Sequence, residues 1–195
     1  MLLDWVYQGP NSGFMVAKDQ GFYEKAGLDV ALQPGKGSGS TAQLVASKVA
    51  QFGFSDGYVV GNSVSRSLPI KMVGAVYRRN PTALIVMADS SIKQPKDLEG
   101  KSVGIAAGSA QFLQFPAYIK GCGLDGSKIQ VVNIDPVGAT PALVTGRVDA
   151  VAGFAQGTLP GIEARAGRPA RALWYADCNV DVVSNGINVH NDQLH

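Results

Sequence analysis

Short apolar runs recur along the chain, and most are followed by stretches with apolar residues three or four positions apart. That alternation predicts strands followed by amphipathic helices, an α/β arrangement with a largely parallel sheet. Residues 2–7 predict a first strand. Asn11 or Ser12 then caps a helix carrying Phe14, Met15 and Ala17, with Phe22 and Ala26 following a break at Gly21, and Gly27 stops it. Residues 28–33 predict a second strand and 34–39 a Gly/Ser loop, after which Ser38 or Ser40 caps a helix through Leu44, Val45 and Val49. A short strand at 51–54, a helix at 56–65 and a strand at 70–77 complete the first part.

Arg78-Arg79-Asn80-Pro81 breaks this run. Pro81 forces Asn80 toward extended geometry, so the chain is expected to cross to a second lobe here. Beyond it the pattern predicts strands at 82–88, 102–106, 129–134, 148–154, 170–175 and 181–189. Residues 93–100 read as a loop with one helical turn. One helix follows Ala107-Gly108-Ser109, either kinked at Pro116 or starting near Phe115, and another opens at Thr140-Pro141 and closes at Gly146. A strand, Gly/Ser loop and helix occur in that order at 28–50 and again at 102–120, which fits two lobes joined near residues 79–83.

Composition narrows the function classes. The 195 residues are 46% hydrophobic and 16% charged, with 24 glycines and a net charge of +2, which is globular rather than disordered. The 17 basic residues form no run, which argues against a nucleic-acid or membrane-surface partner. The longest apolar stretch, residues 83–88, is far short of the ~20 residues of a spanning helix, so no direct membrane insertion is expected. Asp4 interrupts the N-terminus, and no signal peptide is read. Cys122 and Cys178 have no His at metal spacing, and His190 and His195 sit near the end of the chain, so no metal site is expected. The two cysteines read as small core or surface thiols. A disulfide needs an oxidising compartment and Cα atoms within ~7 Å, and sequence supplies neither.

Enzyme motifs are scarce. Gly35-x-Gly37-x-Gly39 lacks the third glycine of a dinucleotide loop, no Walker A ending occurs, and no Gly-x-Ser-x-Gly elbow has a usable His. What remains suits binding. Residues 37–41, 55–57 and 108–111 are Ser/Gly-containing turns before helix starts, which are either ordinary caps or N–H groups offered to an acceptor or anion. All three follow strands, at the sheet edge where open α/β folds hold ligands. Trp5 and Tyr7 fall on one face of the first strand near the same edge, and Trp5 is either core or a platform for a flat ring.

These residues carry a resemblance. Leu3-Asp4-Trp5, Pro10-Asn11, the run from Ala17 to Val30, Phe52-Gly53-Phe54, Pro69, the run from Asp97 to Gly104 and Gly146-Arg147-Val148-Asp149-Ala150 resemble the NMT1/THI5-like proteins, over nearly the whole chain. The resemblance implies the two-lobed type II periplasmic binding protein fold, with residues 1–81 as lobe 1, 82–185 as lobe 2 and 186–195 crossing back, and the ligand held between lobes. It implies a substrate-binding protein of an ABC importer, partnered by a permease, in the periplasm. The ligand would be a small heteroaromatic nutrient such as a thiamine pyrimidine precursor or a flavin. In this family the chain normally continues with C-terminal helices that pack on the first lobe, so the sequence is expected to be a truncated form.

The expected ligand contacts are Trp5, Tyr7, Asn11, Ser38, Gly39, Ser40, Ser55, Asp56, Tyr77, Ser109, Ala110, Gln111 and Phe154, with residues 38–41 and 109–111 facing each other, one set per lobe. Asp56 either accepts from the ligand or caps its helix. The resembling enzymes of thiamine-pyrimidine synthesis carry a cofactor-anchoring Lys after Gly-Phe and a His four residues later. Here those positions are Ser55 and Val59, so no catalysis and no cofactor is expected. The alternatives are such an enzyme or a ligand-sensing domain of a regulator.

Overall fold

The structure, a computed structural model, describes residues 1–135 and 137–194. Two compact units divide the chain, one formed by Met1–Arg78 with the segment from Val183 onward, the other by Arg79–Val182. The first unit contains α1 (Ser12–Asp19), α2 (Phe22–Lys25), α3 (Ser38–Ala46), β1 (Phe52–Asp56), α4 (Gly57–Ser65) and β2 (Ile70–Ala75). The second contains β3 (Thr82–Met87), β4 (Ser102–Ile105), α5 (Ala110–Gly121), β5 (Gln130–Asn133), α6 (Ala139–Val144), β6 (Ala150–Phe154), α7 (Ala155–Ala166) and β7 (Ala170–Trp174). Strand β8 (Asn185–His190) belongs to the first unit again.

The expected α/β class holds, but the pairing is less parallel than the strand–helix alternation suggested. In the first unit β8 lies between β1 and β2, antiparallel to both, with a bulge between Met72 and Gly74. The second unit orders its strands β5-β4-β6-β3-β7, parallel around β4 and antiparallel around β3. Alternation of strands and helices fixes direction only where a helix returns the chain to the same edge. β8 arrives after the second unit, without that constraint.

The strands expected at 2–7 and 28–33 shrink to single parallel bridges, Leu2 with Gln33 and Leu2 with Gly53. Leu2 and Leu3 are buried and hydrogen-bonded on both sides, to Phe52 and Gln33. Pro34 then has no N–H to continue the ladder. Gly35 and Gly37 instead turn back and donate to the carbonyls of Trp5 (3.1 Å) and Asp4 (2.7 Å). A Cβ at Gly35 would overlap the Leu3 carbonyl, so only glycine allows this close approach.

Strand β3 is buried at every position. Leu84 and Val86 join a cluster with Phe115, Tyr118 and Tyr175, while Ala83, Ile85 and Met87 join one with Val151 and Ile162. A strand covered on both faces must be apolar throughout, which accounts for the uninterrupted run at 83–88. Helix α7 has no counterpart in the sequence reading, and it contains Gly157, Pro160 and Gly161, which are helix breakers. Burial of Ala155 and Ile162 against the sheet outweighs their propensity. Helix α5 runs from Ala110 through Pro116 rather than starting beside it.

The cysteines are not free thiols. Cys122 and Cys178 form a disulfide, with Cα atoms 4.9 Å apart. They are 56 positions apart in sequence, and packing brings them together. The Tyr118 and Tyr175 rings stack with centroids 4.4 Å apart, which sets the end of α5 against the 3-10 turn Ala176–Cys178. Among the described residues no helix is long and apolar enough to cross a membrane.

Candidate functional site

In the first unit the polar groups gather where α3 and α4 begin. Asp56 ends β1 and caps α4, its Oδ1 accepting from the N–H groups of Tyr58 (3.0 Å) and Val59 (3.3 Å). Its Oδ2 accepts from the Ser184 hydroxyl (2.9 Å), and its own N–H donates to Ser38 Oγ (3.1 Å). Ser38 is therefore not the expected cap of α3. It is the first helical residue after Gly37, and its buried hydroxyl braces β1 instead. The Ser184 hydroxyl also contacts Asn185 Oδ1 (3.2 Å), and Asn185 Nδ2 donates to Asp4 Oδ2 (2.6 Å). The result is a chain of hydrogen bonds from half-buried Asp4 through buried Asn185 and Ser184 to buried Asp56.

Burial raises the Asp4 carboxyl to a pKa of about 6, helped by the neighbouring negative charge of Asp56 and opposed by the Asn185 hydrogen bond. Asp4, Ser184 and Asn185 were missed by sequence reasoning. Asp4 was visible only as the middle of a Leu-Asp-Trp triplet, and its partner lies 181 positions away.

Other expected contacts sit around this cluster or outside it. Trp5 is half-buried, in a bend rather than on a strand, so the alternation argument that paired it with Tyr7 does not apply. Tyr7 is 54% exposed and donates its hydroxyl to the Leu32 carbonyl (3.0 Å). Asn11 is buried and holds its own loop, donating to the Val6 carbonyl and accepting from the Gln8 N–H. Gly39 is half-buried and Ser40 exposed. Tyr77 is half-buried, donates to the Pro10 carbonyl (2.5 Å) and tilts against Phe54 with ring centroids 6.4 Å apart. Ser55 is fully buried, and its hydroxyl has no hydrogen-bond partner among the described residues. His190 lies at the end of β8, its Nδ1 accepting from the Asp192 N–H (3.1 Å), while His195 falls outside the described residues.

In the second unit Ser109 caps α5, its Oγ accepting from the Phe112 N–H (3.1 Å). Ala110 is buried and Gln111 half-buried in the first turn. The turn before them is held by Asn133 Oδ1, which accepts from the Ala107 N–H (2.9 Å). Phe154, at the end of β6, is buried. Behind the first turn of α5, Asn80 Nδ2 donates to Gln114 Oε1 and to the Val180 carbonyl.

The NMT1/THI5 like family profile matches residues 10–195. A protein of Haemophilus influenzae named for thiamine biosynthesis is 27% identical over 153 residues, covering 78% of this chain and 48% of that protein. The formylaminopyrimidine-binding protein of Halalkalibacterium halodurans is 26% identical over 154 residues, covering 78% and 46%. The 4-amino-5-hydroxymethyl-2-methylpyrimidine phosphate synthase of Schizosaccharomyces pombe is 26% identical over 149 residues, covering 76% and 42%. The chain thus spans about half the length of the curated relatives it matches. Among solved structures, the alkanesulfonate-binding protein SsuA of Xanthomonas axonopodis pv. citri, bound to MOPS, superposes with a TM-score of 0.75 at 16% identity. That match covers 98% of this chain and 64% of SsuA. The fold is the type II periplasmic binding protein fold.

Proposed function

This chain belongs to the NMT1/THI5-like family, and from that premise we propose that it serves as a solute-binding protein for an aminopyrimidine of the thiamine-precursor class. It would deliver that solute to an ABC permease outside the cytoplasm. The observation that carries the ligand class is Asp4. Its carboxyl is half-buried, its pKa is raised to about 6, and among the described residues no cation is one of the groups that shift it. A further carboxylate, Asp56, lies close enough to raise it. Such a cluster favours ring N–H and amino donors and disfavours phosphates and sulfonates. The names of the Haemophilus and Halalkalibacterium relatives support the same class. The disulfide supports an oxidising, extracytoplasmic compartment.

Isothermal titration with 4-amino-5-hydroxymethyl-2-methylpyrimidine and, separately, with MOPS tests this reading. Binding of the pyrimidine alone is expected, and binding of the sulfonate alone overturns it. Catalysis is the second reading, favoured by the synthase name of the Schizosaccharomyces relative. Against it, Ser55 and Val59 stand where the resembling enzymes carry Lys and His. Incubation with pyridoxal phosphate is expected to give no aldimine absorbance, and a stable aldimine at a lysine of this chain would establish the enzyme reading instead.

A further inference from the structure

Helix α5 begins at the turn of residues 109–111, which the sequence resemblance leads one to expect among the ligand contacts, and ends at the disulfide. Besides its apolar packing, polar and covalent ties among the described residues hold it to neighbouring chain. The Gln111 carbonyl, in the first turn, accepts from the Tyr175 hydroxyl (3.4 Å). Gln114 Oε1 accepts from Asn80 Nδ2 (2.8 Å), which also donates to the Val180 carbonyl (2.7 Å). At the far end Cys122 is bonded to Cys178, and Gly121 lies so close to the Cys178 carbonyl that a Cβ there has no room.

These ties converge on residues 175–180, the segment that follows β7. Pro116 removes one backbone hydrogen bond in the middle of α5, which interrupts the ladder along its axis at that point. The shorter route between the ends runs outside the helix, from Cys178 to Tyr175, three residues earlier, and from the Tyr175 hydroxyl to Gln111. The stack of Tyr175 on Tyr118 holds that route against the helix flank. Of these ties the sulfur–sulfur bond is the covalent one.

We propose that Cys122 and Cys178 are positioning residues for the first turn of α5, so that ligand capture depends on the oxidation state of the pair. The inference rests on the ligand-binding reading for its consequence and on unit geometry alone for its mechanism. Reduction requires an external dithiol, which transfers two electrons and two protons to the pair and leaves as its own cyclic disulfide. Cys122 is half-buried, so the reagent can reach it.

The test compares backbone amide resonances of the full chain with and without dithiothreitol, and titrates each form with 4-amino-5-hydroxymethyl-2-methylpyrimidine. The first turn of α5 lies roughly 15–20 Å along the helix from Cys122, at ~1.5 Å per residue. A merely local staple would move only resonances within a turn or so of the two cysteines. The expected result is shifts at residues 109–112 on reduction, with affinity for the pyrimidine falling severalfold. Shifts at 109–112 with no pyrimidine binding in either form would support the positioning and sink the ligand assignment. Shifts confined to 118–124 and 175–180 would overturn the proposal whatever the ligand does. Should the reduced chain unfold, Gly121→Ala in the oxidised chain replaces it. The added methyl displaces the helix end from Cys178 with the bond intact, and movement at 109–112 is again the required outcome.

Discussion

Asp4 illustrates how one half-buried group sets a pH dependence. Its pKa in the folded chain, about 6, lies above the unfolded value near 3.9. Between those values the folded state holds a proton that the unfolded state has lost. This group's contribution to stability is therefore present below about pH 4 and is lost as pH rises through 6. Asp4→Asn removes the titration, so the wild-type Tm is expected to fall relative to that of the variant from pH 4 to pH 7. Parallel thermal melts check this, and a constant difference would refute it. Trp5 makes a second prediction at this scale. A ring stacked on an aromatic contributes ~1–3 kcal/mol, so Trp5→Ala is expected to weaken pyrimidine binding roughly tenfold or more with little change in circular dichroism. Asp4 and Asn185 sit 181 positions apart, which is why their pairing had no local signature to read. Sequence alternation assigned Trp5 a face of a strand, and that failed because Pro34 ends the ladder beside it.

Elements with strong local chemistry were legible. The apolar run 83–88 became β3, and Asp56 and Ser109 start α4 and α5 as caps. Each cap side chain accepts from N–H groups that would otherwise be unpaired. Ser109→Ala is expected to cost about 1 kcal/mol, measured by urea denaturation, with Ser109→Asp restoring most of it. Ser38 shows the opposite case, where a residue type suited to capping served another element. Its hydroxyl went to the Asp56 N–H because Gly37 already turns the chain. Helix α7 was illegible for a related reason, since breakers at 157, 160 and 161 are overruled by burial that only the assembled sheet supplies.

At the scale of the whole molecule, the disulfide closes a loop within the second unit, between positions 56 apart. Chain-entropy arguments put the stabilisation from such a loop at roughly 4 kcal/mol. Reduction is expected to lower the protection of slowly exchanging amides in β3 and β6 by about that amount while amides in β8 keep theirs. Equal losses in both units would show that they unfold together. The order of strands carries one more consequence. The second unit is one continuous stretch, residues 79–182, whereas the first takes its central strand, β8, from beyond that stretch. On the ribosome, residues 79–182 can therefore complete their core while β1 and β2 still wait for the strand that joins them. During that interval the facing edges of β1 and β2 are open, so a translational pause before Asn185 would leave the earlier-made half of the protein as the part that needs a chaperone.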